Sequence, residues 1–246
     1  MMILRQRPAT SDQRLTGSAE IHEIFFSFQG EGILVGEPMV FVRFAYCDLA
    51  CRFCDTPPPK TPTLMAIAEI AGEVSRLNAA EGPFRFVSLT GGEPLRYAAA
   101  LRGLLPRLID SGFKTYLESD GTKARELEEV IQWVHLIAMD IKLPSSTGMR
   151  PFWTEHESFL NVARRTEYFI KVVVTGSTPA REVNEAARLA ARFNPNTPFI
   201  IQPASPFGDF RDAPGADALP AFVRAARAHL EDVRVIGQNH KLIGVR

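Results

Sequence analysis

Cysteine is scarce in this chain, with three among 246 residues. An odd, closely grouped set in a chain long enough to bury its own core argues against a disulfide framework. Charge of one sign is missing as well. The 28 basic and 28 acidic side chains cancel, so no bulk field draws in a nucleic acid, and a small-molecule partner is expected instead. No apolar run reaches the roughly 18 residues that cross a bilayer. Together with thiols that survive best in a reducing compartment, this gives the expectation of a cytoplasmic protein without a membrane partner. No segment of roughly 20 to 50 residues recurs. Residues 1–20 are polar, Arg-bearing and without hydrophobic periodicity, and read as a disordered leader. Residues 21–246 read as a single domain.

What cysteine there is falls in one stretch. Cys47, Cys51 and Cys54 are spaced C-x3-C-x2-C on a loop that follows an alternating, β-branched and aromatic run at residues 39–46. Three thiolates on one tight loop can hold three irons of a [4Fe-4S] cubane and leave the fourth iron open to a ligand. Structural zinc is the competing reading, if folding brings one of His22, His135, His156, His229 or His240 to the loop as a fourth ligand.

Strand and helix patterns alternate from there on. Helices are expected over residues 64–78, 98–109, 123–133, 152–163, 180–193 and 219–230. Strands are expected over 84–89, 113–118, 136–140, 168–174, 198–202 and 233–236. Pro106 lies inside the second helical pattern, where an interior proline costs about 3 kcal/mol. About six βα units imply an α/β fold with a parallel sheet and outer helices, either an open barrel or a doubly wound sheet.

Ligands of a parallel barrel meet the loops after the strands, and the polar residues gather there. The cysteine loop follows the first strand and Thr90-Gly91-Gly92-Glu93 the second. Glu118-Ser119 follows the third, Asp140-Ile141-Lys142 the fourth and Gln202-Pro203-Ala204-Ser205 the sixth. Paired glycines let backbone approach a ligand, and Glu93 offers a carboxylate to a cation. Phe53 is read either as loop packing or as a ring for a ligand. Asp140 and Lys142 are read either as an ion pair or as ligand contacts. Before the first strand, Phe28-Gln29-Gly30-Glu31 supplies backbone, amide and carboxylate edges suited to a pyrimidinone. Arg43 is a planar fork for a carboxylate. Thr56, just past Cys54, offers an oxygen to magnesium.

Taken together, FQGEG, FVRF, C-x3-C-x-F-C-D-T, TGGEP, MDIKLPSS and the late QNHK resemble the 7-carboxy-7-deazaguanine synthase family of the radical S-adenosylmethionine (AdoMet) superfamily, over about residues 21–246. The resemblance implies an incomplete (β/α)6 barrel of the AdoMet-radical type, commonly dimeric. It implies a [4Fe-4S] cluster on Cys47, Cys51 and Cys54 that cleaves AdoMet to a 5′-deoxyadenosyl radical. The implied reaction turns 6-carboxy-5,6,7,8-tetrahydropterin into 7-carboxy-7-deazaguanine with loss of ammonia, in queuosine and other 7-deazapurine biosynthesis, with an electron donor such as flavodoxin. AdoMet contacts would fall on Phe53, Cys54, Asp55, Gly92, Glu93, Glu118, Ser119, Asp140, Ile141, Lys142, Gln202, Pro203, Ala204 and Ser205. Substrate contacts would fall on Phe28, Gln29, Gly30, Glu31, Arg43, Thr90, His240 and Arg246, whose carboxylate the resemblance takes as the chain terminus. Thr56 would hold Mg2+. The rival functions are a glycyl-radical-type activase acting on a protein and a non-catalytic zinc-binding module.

Overall fold

Short apolar strands, each followed by a helix with one apolar stripe, can bury both only by stacking helices against a sheet. A computed structural model describes residues 17–245 and shows that arrangement. The sheet begins with β1 (Ser18–Phe28), β2 (Pro38–Phe44) and β3 (Thr63–Ala66). Helix α1 (Ile67–Glu81), β4 (Phe86–Gly91), α2 (Ala98–Asp110), β5 (Lys114–Ser119), α3 (Ala124–Val130) and β6 (Leu136–Asp140) follow. The chain continues through α4 (Pro144–Thr147), α5 (Trp153–Ala163), β7 (Glu167–Val174), α6 (Ala180–Ala191), β8 (Phe199–Pro203), α7 (Leu219–Arg227), β9 (Val233–Val235) and α8 (Asn239–Ile243).

The nine strands form one sheet in the order β3-β1-β2-β4-β5-β6-β7-β8-β9. From β2 to β9 every neighbouring pair is parallel, while β1 runs antiparallel to both β2 and β3. The pleat separates two cores. Val40, Val42, Val87, Leu89, Leu117, Ile137, Ile170, Val172 and Ile201 face the helices and pack with Ile70, Leu101, Leu104, Phe159, Ala186 and Phe222. Met39, Phe41, Phe86, Tyr116, Leu136, Phe169 and Ile200 face the other way, in a smaller cluster to which, among the described residues, no α-helix contributes and only the short 3-10 turn Gly32–Leu34 adds Ile33 and Leu34. A doubly wound sheet has helices on both faces. Here one face is left for a ligand, as in a barrel, and β3 and β9 do not pair with each other among the described residues, so the barrel is incomplete.

Several boundaries differ from expectation. The expected leader over 1–20 gives way at Ser18, where β1 begins with Ala19 fully buried; residues 1–16 lie outside the described residues. The sequence concealed β1 because a bulge between Ile21 and Glu23 breaks its alternation. The helix expected from residue 64 starts at Ile67. Leu64 fits the helical spacing but sits 61% exposed on edge strand β3, while the Glu69 carboxylate accepts the Ala66 N–H at 2.7 Å and fixes the helix start. Pro106 is accommodated inside α2.

Candidate active site

Because β2 and its parallel neighbours all point one way, their C-terminal ends form one rim. Residues at even spacing on each strand share the inner face. Arg43 of β2, Thr90 of β4, Glu118 of β5, Asp140 of β6, Lys171 of β7 and Gln202 of β8 each lie two or four residues beyond an inner-face core residue. All six line a single cavity of about 350 Å³. The same cavity is lined by Phe28, Gln29, Gly30, Glu31, Cys47, Cys51, Phe53, Cys54, Asp55, Thr56, Gly92, Ser119, Lys142, Ala204, Ser205 and His240. The structure therefore gathers most of the expected site residues from loops far apart in sequence.

Three of the described ones are not gathered there. Ile141 falls on the opposite phase of the pleat; its side chain is buried in the helix-facing core, and its N–H is given to Lys171 O at 2.8 Å. Pro203 likewise sits off the lining, one residue out of phase with Gln202. Glu93 does not present its carboxylate to the cavity. It is fully buried and accepts from Leu95 N (3.0 Å), Asp120 N (2.7 Å) and Ser119 Oγ (3.1 and 3.2 Å), which ties the β4 loop to the β5 loop. Burial and the nearby Asp120 charge raise its pKa well above the ordinary carboxylate range. Arg246 lies outside the described residues.

The cysteine loop is fastened at several points. Arg52 N donates to Thr147 O at 3.2 Å and its guanidinium to Ser145 O at 2.7 Å, both in α4. Gly92 packs so tightly against the loop that an added Cβ would lie 2.1 Å from Tyr46 O and 2.8 Å from Cys47 N. Cys47 and Cys51 are half-buried and Cys54 is exposed. Burial, reinforced for Cys47 by the Asp120 charge, pushes the Cys47 thiol up to about 12; burial also raises Cys51, to about 11, against the pull of the Lys142 ammonium. Thiols so placed ionise when a metal supplies the opposing charge. Among the described residues no three His, Cys, Asp or Glu side chains converge as a ready metal cage. The donor set itself, three sulfurs on one cavity wall, suits iron–sulfur ligation.

A chain of alternating charge runs from beside the cysteine loop along the cavity lining. Lys142 Nζ reaches Asp140 Oδ2 at 2.9 Å and stands 5.5 Å from the centre of the Phe53 ring. Lys171 Nζ reaches Glu31 Oε2 at 2.5 Å and Asp140 Oδ2 at 3.7 Å. Gln238 Nε2 donates to Glu31 Oε1 (2.9 Å) and to Asp55 Oδ2 (3.0 Å), and Lys241 pairs with Asp55. Burial alone would raise the Glu31 carboxyl, but the Lys171 ammonium and the Gln238 donor bring it down to about 2. Gln29 Nε2 donates to Glu118 Oε1 at 3.1 Å, and Gln29 Oε1 takes the Glu31 N–H at 3.0 Å. Arg43 lies 5.3 Å from the Phe25 ring centre, with Nε on Glu23 (2.9 Å) and Nη1 3.4 Å from Thr56 Oγ1.

Three buried acceptors on the cavity wall, Asp120 Oδ2, Asp140 Oδ1 and Gln202 Oε1, have no protein donor among the described residues. Buried acceptors without partners are uncommon, and a ligand bearing an ammonium, hydroxyls and an amine, as AdoMet does, satisfies such a set. Asp120, Lys171, Gln238 and Lys241 were not expected at the site. Lys171 carried a signal, since a lysine inside the apolar run YFIKVVV must find a counter-charge if it is buried. Asp120 directly follows the expected Glu118-Ser119 pair.

Comparison with known proteins agrees with this geometry. The model of the radical SAM superfamily matches residues 41–157. The crystal structure of QueE from Escherichia coli superposes with a TM-score of 0.62 at 20% identity, over 94% of this chain and 100% of that one, which speaks for the fold. The 7-carboxy-7-deazaguanine synthase of Methanopyrus kandleri is 32% identical over 94% of this chain and 95% of its own. That of Geobacter sulfurreducens is 36% identical over 92% of this chain and 97% of its own. With likeness at that level running nearly end to end in both chains, the protein belongs to the 7-carboxy-7-deazaguanine synthase family of radical SAM enzymes.

Proposed function

We propose that this chain converts 6-carboxy-5,6,7,8-tetrahydropterin to 7-carboxy-7-deazaguanine with loss of ammonia, serving queuosine and other 7-deazapurine synthesis. The observation that carries the reading is one cavity lined both by the three cysteines and by carboxylate-, amide- and guanidinium-bearing side chains. When bound, the [4Fe-4S] cluster and AdoMet supply one-electron chemistry that removes hydrogen from C6 of the pterin.

The protein's own residues bind, orient and exclude water. Cys47, Cys51 and Cys54 hold the cluster. Asp120, Asp140 and Gln202 receive the donors of AdoMet through their unpartnered oxygens, and Gly92 brings its backbone to the cavity lining beside the cysteine loop. Arg43 takes the pterin carboxylate, already oriented by Glu23 and Phe25. Gln29 and the ionised Glu31 meet the pyrimidinone edge, with His240 and Thr90 beside them. Thr56 Oγ1 and Asp55 Oδ1, 3.3 Å apart, are hard oxygen donors of the kind that hold Mg2+. A homodimer in the cytoplasm, reduced by a donor such as flavodoxin, completes the reading; no helix of the described residues is long and apolar enough to cross a membrane.

Anaerobic reconstitution followed by AdoMet, reductant, Mg2+ and the pterin tests it. The expected outcome is a brown protein whose colour bleaches with dithionite and a product with the mass of the deazaguanine. AdoMet cleavage without that product overturns the substrate assignment in favour of an activase. A colourless zinc protein overturns the radical chemistry altogether.

A further inference from the structure

Lys171 is a lysine in the middle of a strand, between the inner-face residues Phe169 and Val173, and its ammonium is carried inside the cavity wall. Burying such a charge costs several kcal/mol unless it is well paired, and a methionine of similar length would pack there without that cost. The ammonium is shared. Glu31 Oε2 lies 2.5 Å away and Asp140 Oδ2 3.7 Å away.

Those two carboxylates face different parts of the cavity. Asp140 stands with Lys142 and Phe53 beside the cysteine loop, and its Oδ1 has no protein partner. Glu31 stands with Gln29 and Gln238 on the wall read above as the pterin's. We propose that Lys171 is a positioning residue that couples the two ligands, its ammonium standing between Asp140, which receives donors of AdoMet, and the pterin contact Glu31. A cationic ligand group on the unpartnered Asp140 Oδ1 draws charge from that carboxylate, weakens the longer 3.7 Å contact to Lys171, and leaves the ammonium more fully to Glu31, already 2.5 Å away, and to the substrate beside it. Filling one subsite thereby tightens the other, and the effect is reciprocal.

This inference rests on the proposed substrate, so wild-type turnover is measured first. Absence of the deazaguanine product there overturns the substrate reading and this inference with it. The test proper is equilibrium dialysis of AdoMet against cluster-loaded protein without reductant, with and without saturating 6-carboxytetrahydropterin. In the wild type the pterin is expected to tighten AdoMet by about fivefold or more. In Lys171→Met the ratio is expected to fall to about one, and Lys171→Arg, which keeps the charge, is expected to retain part of it. Because the ratio is read rather than either affinity, a merely structural role for Lys171 does not move it. Should Lys171→Met unfold the chain, Lys171→Gln, which keeps a donor toward Glu31 without the charge, is read in the same way. A wild-type ratio of one, or an undiminished ratio in a folded Lys171→Met or Lys171→Gln, overturns the coupling role while leaving the substrate assignment intact.

Discussion

His156 is fully buried in α5, with both ring nitrogens occupied. Nε2 accepts the Lys142 N–H and Nδ1 donates to Gly121 O, each at 3.0 Å, so one neutral tautomer spans the loops after β5 and β6. Burial lowers its pKa below the ordinary 6.5, against the pull of Gly121 O, Asp120 and Asp140 and with the repulsion of Lys142. The unfolded chain then binds the extra proton first as pH falls. The stability His156 confers is therefore complete above 6.5 and drains away below it, by up to about 1.4 kcal/mol per pH unit. Chemical denaturation between pH 7 and 5 is expected to show this slope, and His156→Gln to flatten it. Arg43 tests the other wall. Loss of a charge-assisted bond worth about 1.5–3 kcal/mol in Arg43→Ala is expected to raise the pterin KM by roughly 10- to 100-fold while the visible spectrum of the cluster is unchanged. Unchanged turnover in that variant retracts the clamp. Neither arrangement is equally readable in sequence: Arg43 stands in a strand just before the cysteines, whereas His156 is one of five scattered histidines whose partners only folding reveals.

At the level of elements, the β4 loop and the cysteine loop are locked by backbone contact, to which the Arg96–Asp48 ion pair adds. Glu93 N donates to Tyr46 O at 2.9 Å and Gly92 N to Phe44 O at 3.0 Å. A methyl group on Gly92 has no space against Tyr46 and Cys47. Gly92→Ala is expected to push the loops apart, so that iron content after reconstitution falls by more than half while far-UV circular dichroism is retained; full iron loading in this variant counts against the locking role. The strands and helices after the cysteines were legible because each carries its own period, apolar runs of five to eight residues alternating with 3.6-residue stripes. The elements that escaped have no such signature. β1 is interrupted by its bulge, β3 is four residues long, and α4 and α8 are one-turn helices held by Arg52 and by the Glu31–Gln238–Asp55 contacts respectively.

Over the whole molecule, the two cores lie in the sheet and its helices, and the cysteine loop adds little to either. The triple variant Cys47→Ser/Cys51→Ser/Cys54→Ser is expected to lose all visible absorbance yet melt within about 2–4 °C of the unloaded wild type, because near-isosteric exchanges at loop positions outside both cores cost about 1 kcal/mol. Collapse of the fold would show that the loop is structural. What the sequence by itself determined is local in the chain: the C-x3-C-x2-C spacing that selects iron–sulfur chemistry, and the strand–helix alternation that selects a parallel sheet with a rim of strand ends. Tertiary structure decided what depends on contact between distant segments. Lys171 meets Glu31 across 140 residues. Glu93 turns inward to bind two neighbouring loops instead of a ligand. The pleat sends Ile141 to the helices and Gln202 to the cavity. No local pattern encodes the Lys171 and Glu93 contacts, because their energy comes from shared burial of charge that exists only once the sheet has assembled.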